Sequence, residues 1–326
     1  MERGIFNKLK LGLSIFLICL FIGGNAQDLN EAITKLKDGL SIINDDPQGA
    51  LNILNECISL CDEIGPDAEE TKMEAESRIP TCYYKLAYQS YKDKNYEEAL
   101  NGFVKTAEMA DLYGDMDTKD KANNYIPKLN YAVATGKYKK GNFQDAINQY
   151  EKAIEYDPSY AKAYYGQALA YKKLNNDDKA LEACDKAIEA AMNANDLKTL
   201  DKAEKLAHNI LLVKGADANS KGEYNEAIEL FNKAVEYNAK SSEAYFQLAF
   251  SYNKIESWDN AINAANKSLE FENGDDEKKA RIYYELGTAQ FGKGDSTAAC
   301  DAYNNALYGA YTESAKYQIE VILKCE

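Results

Sequence analysis

A single histidine, a single tryptophan and only five prolines occur in the 326 residues. With one imidazole the chain has little to offer as a general base or a metal centre, since both chemistries draw heavily on histidine. Cysteine occurs seven times, but no two are spaced C-x2-C, so the ligand pattern of a structural zinc site is missing. Positive charge is short as well: Lys and Arg total 38 against 53 Asp and Glu, a net of −15. Nucleic-acid binding needs clustered cations to neutralise phosphate, and this balance argues against it. Phosphate loops are also missing: Gly287-Thr-Ala-Gln-Phe-Gly292-Lys293 has Gly294 where Ser or Thr is required and no strand ahead of it. Asp115 and Asp117 lack the later ligands and the glycine of a calcium loop. No enzyme, metal, cofactor or small-molecule substrate is expected.

Long apolar runs are confined to the start. Arg3, Lys8 and Lys10 precede the apolar stretch Leu11 to Ile22, and Gly24-Asn25-Ala26 offers small residues where a signal peptidase cuts. Residues 1–26 thus read as a signal peptide, with Gln27 first after cleavage. Ile18 stands before Cys19 where a lipoprotein needs a small residue, and the run falls short of the ~20 residues of a membrane span. Membrane contact is expected only through this leader or a partner. The leader's form, with the Lys, Asn and Tyr usage, places the expected product in the periplasm of a Gram-negative bacterium or associated with its outer membrane. Removing the leader makes the chain more acidic still, which reads as a solvated outer face. Export permits disulfides. Most of Cys57, Cys61, Cys82, Cys184, Cys300 and Cys325 nonetheless fall in small-residue slots and read as core thiols, pairing being left open.

What the sequence has in quantity is Ala and Tyr at recurring offsets. Gly141-Asn142-Phe143-Gln144-Asp145-Ala146 is followed by Tyr150, Ala153 and Pro158, and 34 residues after Ala146 comes Ala180 with Cys184 and Ala187. Ahead of these stand Val133-Ala134 in one copy and Tyr164, Ala168 and Tyr171 in the other. A period of this length marks a repeat of paired helices. Small residues let the two helices approach closely, and aromatics fill the grooves beside them. The pattern resembles the tetratricopeptide repeat, W-x2-L-G-x2-Y, then A-x3-F, then Pro. Gln167 and Cys184 depart from it, standing where Leu and Phe are expected.

The resemblance implies an all-α, right-handed superhelical solenoid of about seven antiparallel hairpins in a single domain over residues 27–326. The hairpins are expected near 29–64, 81–112, 127–157, 161–192, 208–238, 242–271 and 280–310, with a capping helix over 311–325. The central alanines of the second helices are Ala50, Ala99, Ala146, Ala180, Ala227, Ala261 and Ala299. Ala99 to Ala180 and Ala146 to Ala227 both span 81 residues, which suggests a larger duplicated unit. The inserts Cys61 to Ile79, Asp111 to Ile126 and Met192 to Ala207 have helical composition and are expected to add turns to flanking helices. Pro80 and Pro127 sit at one shared offset, where they should end or kink a helix. His208 holds that offset in the fifth hairpin and reads as a structural boundary residue.

In an array of this kind the first helices of the hairpins line a concave groove. Their outward face gives Tyr84, Tyr88 and Tyr91; Tyr131 and Tyr138; Tyr165; Phe246 and Phe250; and Tyr284 and Phe291, each set on one stripe by its spacing of three or four. Tyrosine combines apolar area with a hydroxyl, which suits a peptide or protein ligand. Lys128, Lys162, Lys172 and Arg281 are candidate carboxylate partners. The same aromatics would serve equally to pack neighbouring hairpins together. Two functions stay open: a non-catalytic scaffold holding a protein or peptide in the groove, or a structural subunit of an envelope secretion, motility or outer-membrane assembly complex.

Overall fold

The computed structural model describes residues 26–325. Apart from Ala26, the expected leader lies outside them. Every regular element among the described residues is helical, and they form two compact units, one ending at Pro158 and the other beginning at Ser159.

In the first unit a helix over residues 26–42 (α1) precedes α2 (Pro47–Ile64), α3 (Glu69–Lys92), α4 (Tyr96–Leu112), α5 (Met116–Asn123), α6 (Ile126–Lys139) and α7 (Phe143–Tyr156). Helix α2 begins as its sequence dictates: Asp46 accepts a hydrogen bond from the Gly49 N–H at 2.9 Å, and Pro47 occupies the first turn, where its missing N–H costs nothing. On α4 the buried residues are Ala99, Phe103, Thr106 and Ala110, a stripe at helical spacing that packs on α3. The approach is close because it is made by the smallest side chains: a Cβ on Gly102 would lie 2.8 Å from that of Ala87.

The second unit contains α8 (Ala161–Lys173), α9 (Asp177–Asn193), α10 (Leu197–Lys221), α11 (Tyr224–Tyr237), α12 (Ser242–Lys254), α13 (Trp258–Phe271), α14 (Asp276–Lys293) and α15 (Ser296–Asn305). These pack as the consecutive pairs α8–α9, α10–α11, α12–α13 and α14–α15. Gly215 of α10 faces the ring of Phe231 on α11, and Gly287 of α14 faces Tyr303 on α15. In these two pairs glycine on one helix admits an aromatic from the other.

The duplication suggested by the spacing of 81 is visible in local geometry. Gly114 and Asn195 both take left-handed backbone, at φ 73° and 54°. Asp115 then accepts from the Thr118 N–H at 3.0 Å, and Asp196 from the Thr199 N–H at 3.1 Å. Ala122 and Ala203 follow, both fully buried. From there the copies part. Pro127 has no N–H to donate and its ring crowds the carbonyl four residues back, and ahead of it the chain turns at Asn124 and Tyr125, separating α5 from α6, with Pro127 in the first turn of the new helix. His208 stands 81 residues after Pro127, and α10 runs through it unbroken.

Three expectations are corrected here. Pro80 does not end a helix, because α3 continues through it with Ile79, Pro80 and Cys82 all buried; that burial offsets a lost hydrogen bond. The insert Asp111 to Ile126 makes a helix of its own, α5, while the other two lengthen α3 and α10. His208 is not at a boundary but inside α10, buried, with Nδ1 2.9 Å from the Ala234 carbonyl and Nε2 3.1 Å from Ser241 Oγ. A ring nitrogen facing a carbonyl must carry the proton, so Nδ1 donates to Ala234, and Nε2 shares the second hydrogen bond with the Ser241 hydroxyl.

The expected capping helix is a composite. A 3₁₀ turn (Gly309–Tyr311) leads to α16 (Thr312–Tyr317) and a π-helical turn (Gln318–Leu323). Ala315, Ile319 and Leu323 cover Ala299, Tyr303 and Ala306. A disulfide between Cys300 of α15 and Cys325 fastens the segment's far end. Cys57, Cys61, Cys82 and Cys184 are free and buried.

Candidate functional site

The aromatic ladder of α3 is an outcome of helical spacing. Tyr84, Tyr88 and Tyr91 fall on one face, their ring centroids 6.2 Å and 6.1 Å apart in succession. The corner between α5 and α6 then drives Tyr125 against this ladder. Its ring stacks on Phe103 at 4.5 Å, with planes 1° apart, and meets Tyr91 edge-on at 5.4 Å. Burial, followed by the hydrogen bond with Tyr84, pushes the Tyr125 phenol up to about 12, so it stays neutral and able to donate.

Beside these rings lies an open recess of about 690 Å³ lined by Tyr84, Tyr91, Tyr96, Lys121, Asn124, Tyr125, Lys128, Leu129 and Ala132. Tyr91 and Tyr96 are 39% and 37% exposed, so their rings present free face to solvent. No Asp or Glu lines the recess. Such a wall can hold an extended apolar or aromatic group by stacking and take hydrogen bonds on its hydroxyls.

Of the other expected groove residues in the first unit, Tyr131 packs 5.7 Å from Tyr150, and Tyr138 meets Phe143 of α7 at 5.3 Å. In the second unit most of the expected residues are engaged within the chain, in several ways. Lys202 Nζ lies 6.0 Å above Tyr165, while Lys162 on the same helix is exposed. Phe246 is only 8% exposed and sits beneath the Arg281 guanidinium at 4.4 Å. Arg281 is itself paired with Glu243 at 2.8 Å, and Lys172 with Asp177 at 2.9 Å. Phe250 lies under Lys254 at 5.0 Å, Tyr284 contacts Tyr303 and Tyr311 at 5.4 Å each, and Phe291 is 41% exposed. The structure therefore gathers Tyr84, Tyr88, Tyr91 and Lys128 in one place and leaves the rest dispersed.

Tyr96, Lys121, Asn124 and Tyr125 were not singled out from sequence. They lie off the first-helix stripe, at a turn and in an insert. Tyr125 did carry a signal, an aromatic immediately before Ile126-Pro127 where a chain must turn. Among the described residues no group of three or more His, Cys, Asp or Glu side chains is placed to hold a metal ion, and no helix is long and apolar enough to cross a membrane.

Comparison with known proteins agrees with the repeat pattern. Residues 131–195 match a family model described as tetratricopeptide repeat, 218–255 one described as TPR repeat, and 280–308 a further tetratricopeptide repeat. The transcription activator GutR of Bacillus subtilis (strain 168) is 29% identical over 120 residues, which is 35% of this chain but only 14% of that protein. Among solved structures, MamA protein is 21% identical with a TM-score of 0.36, over 60% of this chain and 95% of that one. YrrB, titled a TPR protein with an unusual peptide-binding site, is 21% identical with a TM-score of 0.36, over 58% and 90%. The TPR2AB domain of yeast Sti1 in complex with pHSP90 is 19% identical with a TM-score of 0.30, over 74% and 95%. Likenesses this distant bear no weight on function.

Proposed function

With tetratricopeptide repeats in both units as the premise, we propose that the protein is a non-catalytic scaffold of the cell envelope that holds a peptide or partner protein against the aromatic face of α3 and its neighbours. The tyrosine recess beside α3 carries this reading: exposed aromatic faces, hydroxyl donors and two lysines converge there with no carboxylate. Stacked helical hairpins provide extended surfaces for partners, and rigid tyrosines give contact area at small entropic cost. Export is supported by the leader-like start and by the Cys300–Cys325 bridge, since such bonds persist in oxidising compartments.

The test is affinity capture from a native envelope extract, comparing the tagged full chain with a Tyr91→Ala/Tyr96→Ala variant. Both rings are more than a third exposed, so the variant should keep its helicity by circular dichroism. A partner held by the wild type and lost by the folded variant supports the recess. Equal capture by both moves the binding surface elsewhere.

Elsewhere would mean the second reading, a structural subunit of an envelope assembly. Its support is a pair of exposed apolar corners at the two duplicated turns: Leu112 and Met116 at one, Met192 and Leu197 at the other, each more than half exposed.

A further inference from the structure

Among the cysteines of the described residues, the bridged pair alone is open to solvent: Cys300 and Cys325 are both partly exposed, whereas Cys57, Cys61, Cys82 and Cys184 are buried. The bridge ties down a segment with little hold of its own. A 3₁₀ turn of three residues, a helix of six and a π-helical turn of six follow one another from Gly309 to Leu323, each too short to stand alone. The segment joins α15 through Ala306, Leu307 and Tyr308, which lie outside any helix, and Tyr308 has extended backbone. It is also apolar on both faces. Ala315, Ile319 and Leu323 pack onto the array. Tyr317 stands outward with Val321 and Ile322, four and five residues on, at 54%, 51% and 42% exposure. The end of a repeat array needs a polar outer face to stay soluble, and this end lacks one.

We propose that residues 309–325 are exchanged between two copies of the chain, each segment seated on the other copy's α14–α15 pair and each Cys300 bridged to the other copy's Cys325. The structure itself supplies the fit: Ala299, Tyr303 and Ala306 already receive this segment, and exchange preserves those contacts. Three connecting residues reach only about 10 Å, so the two copies lie close and the outward Tyr317, Val321 and Ile322 are covered at the new boundary. A small thiol opens the path. Its thiolate attacks Cys300 Sγ, the bond between the two cysteine sulfurs breaks, and Cys325 leaves as a thiolate on a segment free to swing about Tyr308. The other copy's Cys325 thiolate then attacks the mixed disulfide at Cys300 and expels the small thiolate, which regains its proton from solvent. Each step breaks one S–S bond and makes one, so no oxidant or reductant is consumed. Closure within one chain competes, at an effective concentration on the order of millimolar; exchange therefore needs concentrated protein and the added contact of the outward face. No residue of the recess beside α3 takes part, so the exchange does not depend on what that recess binds.

The experiment mixes isotopically light and heavy full chains at high micromolar concentration with a catalytic amount of reduced glutathione, quenches with iodoacetamide and separates covalent dimer from monomer without reduction. The dimer should yield Cys300–Cys325 peptides that join a light half to a heavy half, with the four buried thiols absent from any bridge. Cys300→Ser/Cys325→Ser should give no covalent dimer. Val321→Ser/Ile322→Ser changes only outward side chains, so it should keep its helicity by circular dichroism and weaken the dimer by about tenfold. A bridge that glutathione leaves closed, or opened chains that stay monomeric, would overturn the proposal, as would a dimer whose bridge peptides are all light with light or heavy with heavy. Mixed peptides whose yield is the same in Val321→Ser/Ile322→Ser would uphold the exchange and overturn the role given to its outward face.

Discussion

Replacing Cys300 and Cys325 by serine opens a covalent loop that spans a sequence separation of 25. In the chain-entropy account a cross-link of that span removes freedom from the unfolded state worth about 3.5 kcal/mol at room temperature. In an array each hairpin contacts only its neighbours, so the loss should fall on the cap and α15 and fade away from them. The assay is hydrogen exchange followed by mass spectrometry, wild type against the double serine variant under non-reducing conditions. Protection over residues 309–325 should drop strongly, while α12 and α13 exchange as before. The free thiols do not confuse the comparison: burial first, then the nearby Cys61 thiol, pushes Cys57 up to about 12, and burial takes Cys82 to about 11 and Cys184 to about 12. So little thiolate is present at neutral pH that exchange with the bridge is slow. Unchanged protection in the variant would refute the idea that the bridge holds the cap. Alkylation of Cys300 and Cys325 in the unfolded, unreduced chain would refute the bridge itself.

Two further outcomes test the packing. Glu285 is buried beneath α12, accepting from Asn253 Nδ2 at 2.7 Å, and burial raises its carboxyl above the ordinary 4.5 despite Asn253 and Lys254, which lower it. Its folded pKa exceeds its unfolded one, so the stability gained from the protonated form is present below about 4.5 and lost as pH rises through the folded value. Glu285→Gln should therefore gain on the wild type in urea midpoint as pH rises through that window, and a gap that does not change with pH would count against it. Gly215→Ala adds a methyl 2.5 Å from the fully buried Phe231 ring; overpacking of about 1–3 kcal/mol equals or exceeds the roughly 1 kcal/mol gained in helix propensity, so the variant should be destabilised by up to about 2 kcal/mol. Phe231→Leu should relieve it, and a double-mutant cycle that adds within about 0.5 kcal/mol would show no clash.

What the sequence determined by itself is local and periodic. Alanines four apart, Asp46-Pro47, the repeated Asp-x-x-Thr at Asp115 and Asp196, and glycine at hairpin ends all act within one turn or across one helix pair. Their outcome follows from helix geometry alone. The stripe Tyr84, Tyr88 and Tyr91 was legible for the same reason. Only the tertiary structure decided which charges were already taken. Arg281 and Lys172 look like free cations in sequence, but Glu243 and Asp177 meet them, and Phe246 disappears beneath Arg281. It also decided that Cys300 would find Cys325, and that Tyr96, Tyr125 and Lys121 would complete a recess begun by α3. Those meetings depend on how α4, the α5–α6 corner and the cap fold back onto helices distant in sequence, and no periodicity encodes them.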